Sequence, residues 1–156
     1  MTEEPVLQLD KTIISDIEKY RHDHELEVYV GGDSQVHNRT VTYVKVIVLR
    51  KVDCGAIGYY KIEKERYNRN IRERLWNEVY KIVDVAKWLD EILIAHSDKH
   101  GLDIMVKEVH ADLNPSPKYK SNEVVQACLG YIQSMGYVGQ IKPDAWATGV
   151  ADKKSK

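Results

Sequence analysis

The stretch Leu26–Ser34, LEVYVGGDS, alternates in side-chain character as far as Val30 and then runs into two glycines, an aspartate and a serine. It reads as a strand ending in a turn, because Gly-Gly-Asp-Ser supplies the backbone freedom and short polar side chains that turns use. Val41–Leu49, VTYVKVIVL, follows with β-branched residues on both parities, the pattern of a strand covered on both faces. Ile57–Tyr67 is a weaker strand behind the turn cluster Asp53–Gly58. Three strands this close in sequence are joined by hairpins.

Upstream, Leu9, Ile13, Ile17 and Tyr20 share one helical face, with Asp10 as the expected N-cap, and Arg21–Glu25 is a polar break. Downstream, Asn70–Ala95 carries the longest helical pattern, and Ser97–Gly101 breaks it. Asp103–Leu113 reads as a strand, stopped by Asn114-Pro115-Ser116-Pro117. A helix over Ser121–Met135 ends at Gly136, a short strand covers Tyr137–Ile141, and Pro143 opens a last helix through Trp146. A hairpin-linked strand triplet followed by alternating helices and strands implies an α/β fold with a mixed sheet.

The 156 residues suit one domain, and a chain of this size buries roughly two-thirds of its unfolded surface without metal or disulfide staples. With 23 Lys+Arg against 24 Asp+Glu, no global basic field announces a nucleic-acid partner, so any such surface is local. Cys54 and Cys128 form no CxxC pair, which argues against a cysteine zinc site or disulfide framework and suits a reducing, cytoplasmic setting. The acidic start MTEEPVLQLD lacks the apolar run of a secretory signal, and no run approaches the ~18 apolar residues of a membrane span.

The informative acids sit where a core residue belongs. Ile71, Leu75, Ile82, Val85, Ala86, Leu89 and Leu93 form one helical stripe, and Glu78 lies in its middle while Glu73 points away. An unpaired buried carboxylate costs several kcal/mol, so Glu78 needs an arginine such as Arg74, a metal, or a raised pKa. Asp33 ends the first strand, where α/β sheets bind ligands, although a turn aspartate would look the same. Asp112 ends the fourth strand and shares its face with His110 and Glu108, an unusual polar face unless the strand is a wet edge. Asp144 starts the terminal segment PDAWATGVAD, and Asp152 is the alternative fourth acid. Four carboxylates converge only around divalent cations, which points to two ions of Mg2+ or Mn2+ and to in-line phosphoryl displacement.

The stretches Gly32–His37 (GDSQVH), Arg72–Val79 (RERLWNEV), His110–Pro115 (HADLNP) and Lys142–Ala147 (KPDAWA) resemble the YkuK-like family of small bacterial proteins, classed as ribonuclease H-like and predicted to be nucleases. The resemblance runs from about Leu26 to Asp152. It implies a single ribonuclease H-like domain over 1–156, with 1–25 a helical extension and 26–152 the core. It also implies a five-stranded mixed sheet of order 3-2-1-4-5 with flanking helices. The family pattern matches Asp33, Glu78 and Asp112, and then Asp144 or Asp152, as the metal-binding acids. The implied activity is metal-dependent hydrolysis of RNA, DNA or a hybrid, leaving 5′-phosphate and 3′-hydroxyl ends. The alternative is a nucleic-acid-binding domain that keeps the fold without catalysis.

Lys61–Arg74, KIEKERYNRNIRER, holds six basic and three acidic residues with Tyr59, Tyr60 and Tyr67 interleaved or adjacent. It suits either phosphate contacts with stacking rings or a solvated connection. Ser34, His37, Asn114, Arg69, Arg72 and Arg74 are the candidate substrate contacts. His110 either transfers a proton in catalysis or is satisfied by Glu108 or a backbone carbonyl. Trp76 and Trp88 read as packing residues, and Trp146 as an anchor for the last helix.

Overall fold

The computed structural model describes residues 6–68, 70–100, 103–113 and 122–149. In chain order the elements are α1 (Val6–Tyr20), β1 (Leu26–His37), β2 (Thr40–Lys51), β3 (Gly55–Arg66), α2 (Ile71–His100), β4 (Val106–His110), α3 (Asn122–Ser134) and β5 (Val138–Gln140). They form one five-stranded sheet of order β3-β2-β1-β4-β5. The β1–β2 and β2–β3 pairs are antiparallel, and β1–β4 and β4–β5 are parallel. This is the mixed sheet expected from the strand order. No helix among the described residues is long and apolar enough to cross a membrane.

Gly31–Ser34 is not a turn. β1 runs straight through it, and β2 pairs with it in unbroken register (Gly31↔Val46, Gly32↔Lys45, Asp33↔Val44). The glycines are there for close approach on opposite faces. A Cβ at Gly32 would stand 2.5 Å from Ile82 Cγ2 of α2, and one at Gly31 would stand 2.9 Å from Ala147 Cβ. The hairpin turn falls later, at Asn38-Arg39, where Asn38 takes φ 57. His37 is therefore the last residue of β1, not part of a loop after Asp33.

Other boundaries shift for equally local reasons. Asp10 lies inside α1 rather than capping it. α2 continues through Ser97 to His100, and its start is capped by Asn70, whose Oδ1 accepts the Glu73 amide at 3.1 Å. β4 is shorter than its pattern and begins at Val106, whose amide donates to the buried Asp90 carboxylate of α2 at 2.8 Å. Gly136, at φ 91, closes α3 in a Schellman arrangement, with Gly136 N donating to Gln133 O and Tyr137 N to Ile132 O. Pro143 opens no helix. The Lys142–Pro143 bond is cis within a turn closed by Asp144 N to Ile141 O at 2.8 Å, and the helical turn follows at 147–149.

The main core lies between one sheet face and the helices. It joins Ile13 and Ile17 of α1, the stripe Leu75, Val79, Ile82, Ala86, Leu89 and Leu93 of α2, and Val125, Cys128 and Ile132 of α3. A smaller cluster covers the other face, with Tyr29, Val44, Val46 and Val48 beneath Ala147.

Candidate metal centre

β1 and β4 part company where the acids gather. Their parallel ladder runs from Val28↔Val106 to Gly31↔His110 and then stops. Asp33 stands two residues beyond Gly31 and Asp112 two beyond His110, so the two carboxylates flank the opening on adjacent strands. Glu78 reaches the same place from the buried face of α2. One carboxylate oxygen from each of the three lies within 4.8 Å of the others.

Asp33 and Glu78 are 1% and 2% exposed, and Asp112 is half-buried. Gln35, two positions along the same strand face, donates to Asp33 Oδ2 at 3.0 Å. Lys142 Nζ lies 2.8 Å from Asp112 Oδ1. Both oxygens of Glu78 are buried and neither makes a hydrogen bond of good geometry, the Ser34 hydroxyl giving its charge only slight support. Burial first, and then the neighbouring Asp112, push the Asp33 carboxyl up to about 8. Burial likewise raises Glu78 well above the usual carboxylate range, and the charges of Asp112 and Asp33 add to it against a smaller pull from Arg74. Burial works on Asp112 in the same sense but is outweighed by its hydrogen bond with Asp33 and by Lys142, so it is held low. The two deeper acids are thus shifted toward the protonated form and Asp112 toward the ionised one.

A hard divalent cation suits this donor set. Three carboxylates are available, all oxygen donors, and the buried oxygens of Glu78 gain the strong partner they otherwise lack.

Three of the expected acids, Asp33, Glu78 and Asp112, are therefore brought together. Asp144 is exposed on the turn before Ala145 and is not in the group, while Asp152 lies outside the described residues. Ser34 is buried beside Asp33. Arg74 sits one helical turn before Glu78, its Nε buried without a partner and its guanidinium carbon 5.9 Å from the Tyr67 ring centroid. Arg72 and His37 are exposed, His37 at the far end of β1, and Asn114 and Arg69 lie outside the described residues.

His110 is not set up for proton transfer to a substrate. It is fully buried, Nε2 faces Glu108 Oε1 at 3.0 Å, and Nδ1 accepts the Ala147 amide at 3.0 Å. Burial holds its pKa down despite Glu108, which fits a neutral ring donating through Nε2 and accepting through Nδ1. Its ring also meets Tyr29 and Trp146 at 5.5 and 5.1 Å between centroids, so it ties the terminal segment to the sheet.

Two members of the site escape the sequence pattern. Gln35 was accessible to period-two reasoning only if β1 continued past the glycines. Lys142 has no spacing that links it to Asp112, and its neighbour Asp144 drew the inference instead.

The chain belongs to the ribonuclease H-like family, whose model matches residues 9–156. It is also similar to the Bacillus subtilis (strain 168) protein named "Uncharacterized protein YkuK", with 30% identity over 125 residues, 75% of this chain and 71% of that one. No solved structure matches.

Proposed function

We propose that the protein is a divalent-metal-dependent nuclease that hydrolyses phosphodiester bonds of RNA, DNA or a hybrid. The observation that carries this reading is the convergence of Asp33, Glu78 and Asp112, with both Glu78 oxygens buried and without a hydrogen bond of good geometry. Membership of a ribonuclease H-like family supports it. Asp33, Glu78 and Asp112 hold Mg2+ or Mn2+, and Asp144 or Asp152 completes the set for a second ion. Bound there, such ions supply charge neutralisation and Lewis acidity to the attacking and leaving oxygens of an in-line displacement.

The remaining residues prepare that chemistry. Asp33 and Glu78 release protons on ligation, while Lys142 keeps Asp112 ionised and oriented. Arg74 offers its unpartnered Nε to a backbone phosphate beside the acids, with Arg69, Arg72, Ser34, His37 and Asn114 as further contacts of the strand. His110 acts as a positioning residue through Ala147. The two free cysteines favour a reducing, cytoplasmic setting.

The test is incubation with Mn2+ or Mg2+ and labelled single strands, duplexes, hybrids and junctions, with Asp33→Asn and Glu78→Gln alongside. Cleavage abolished by EDTA and by both substitutions supports the nuclease. Tight, salt-sensitive binding without metal-dependent cleavage of any substrate overturns it in favour of a nucleic-acid-binding domain.

A further inference from the structure

α2 packs across β1 and β2, and between it and the outer strand β3 lies a cleft of 290 Å³. Its walls are apolar and aromatic, formed by Ile47 and Tyr59 on the sheet and Val85 and Trp88 on α2. The Tyr59 hydroxyl donates to Asp16, so α1, which the sequence sets outside the core, fixes the tilt of one wall. The acid-proximal end is closed by Glu63, which accepts from Lys45 and Lys81 at 2.5 Å each. Those charges are mutually satisfied. The Lys61 ammonium is different: it lines the cleft, half-buried, with no ion-pair partner among the described residues, while the other charge left over, the Asp84 carboxylate of α2, is exposed to solvent at the rim.

Aromatic walls beside one unpaired cation select a planar ring joined to an anion. The volume is at the lower end of ligand pockets and admits one ring with its immediate substituents. Lys81 follows Glu78 by about one turn and Trp88 follows Glu78 by ten residues, so the cleft extends about 15 Å along α2 from the acids. We propose that this cleft binds one nucleotide unit, the base against Trp88 and Tyr59 and the phosphate on Lys61. The preference for a ring with an anion follows from the cleft alone, whereas the choice of a nucleotide rests on the nuclease reading. The unit is a free mononucleotide or the 5′-phosphorylated end of a strand.

Calorimetric titration of the full chain in EDTA tests this, using nucleoside 5′-monophosphates and dinucleotides with and without a 5′-phosphate. Saturable binding is expected, weakened about tenfold by Lys61→Ala through loss of a charge-assisted contact. It is also expected to weaken at least about fivefold in Trp88→Leu through loss of stacking. Asp33→Asn retains the affinity. Tighter binding of the monophosphate identifies a product or effector site, tighter binding of the phosphorylated dinucleotide identifies a strand-end site, and both support the proposal. Absence of saturable binding by every probe, or binding that survives both cleft substitutions, overturns it. Failure of the nuclease reading is read separately: a chain that binds nucleotides but cleaves nothing loses that reading and keeps the cleft.

Discussion

β1 has two neighbours, and they treat it differently. β2 accompanies it along its whole length, from Leu26 to His37, whereas β4 pairs with it only from Val28 to Gly31. On the β2 side the register is unbroken through all twelve residue pairs. On the β4 side the ladder opens, and the carboxylates of Asp33 and Asp112 flank the gap with Glu78 beneath it. One side makes the strand rigid, and the other gives that rigidity something to hold. The contrast also explains where polar burial is tolerated: a continuous ladder leaves no room for a charged ligand, and an opened one does.

The largest test of this contrast strikes the gap. Asp33→Asn, Glu78→Gln and Asp112→Asn should each reduce metal-dependent cleavage to background. Glu78→Met should do so while raising the unfolding free energy of the metal-free protein by about 1–3 kcal/mol, since it removes a buried carboxylate that has no well-formed hydrogen bond. Chemical denaturation in EDTA reads the second effect, and a loss of stability would contradict the account.

The next test breaks the closed side. Gly32→Ala drives a methyl group against Ile82 and the Val44 carbonyl, with a cost of about 1–3 kcal/mol measured by denaturation. Gly31→Ala meets Ala147 instead, so it should cost less and act through the terminal segment, shifting the fluorescence of Trp146.

A third prediction uses pH to sharpen the difference. Folded Asp33 and Glu78 hold protons that the unfolded chain releases, so the folded state binds more protons above the ordinary carboxylate range. Stability of the metal-free protein therefore falls as pH rises from about 5 to about 8. Asp112, held low, acts in the opposite sense and loses its contribution only as pH falls through its folded value. Thermal midpoints across this range should drop in EDTA, drop less in Asp33→Asn, and recover with Mn2+. A flat profile in EDTA would remove the protonated cluster. The smallest effect belongs to Asn70→Ala, which removes the cap of α2 at about 1 kcal/mol and should leave metal affinity nearly unchanged by calorimetry.

The sheet was legible because β-branched runs and their breaks determine strand order locally. Gly31-Gly32 was misleading because a glycine needed for a turn and a glycine needed for close packing look alike in sequence. Only Ile82 and Ala147, far away in the chain, distinguish them. Glu78 was legible for the converse reason, since a carboxylate inside an apolar stripe contradicts its own surroundings. The terminal segment was not: from Ile141 to Gly149 it is too short to show a period. The partnership of Lys142 with Asp112 joins residues thirty apart in the chain, and no spacing pattern marks it.

The two thiols hold an experimental convenience. Cys128 is fully buried and burial pushes it up to about 11, whereas Cys54 is exposed in the β2–β3 turn. A maleimide dye should therefore mark one position in the unmodified chain. Lys51, at the Cys54 end of β2, is seven positions from Val44, the partner of Asp33, or about 24 Å along the strand. The label would leave the acids untouched. Cys54 also lines a cavity with Trp146, so contact quenching between dye and indole would follow the terminal segment in real time as metal and nucleic acid arrive.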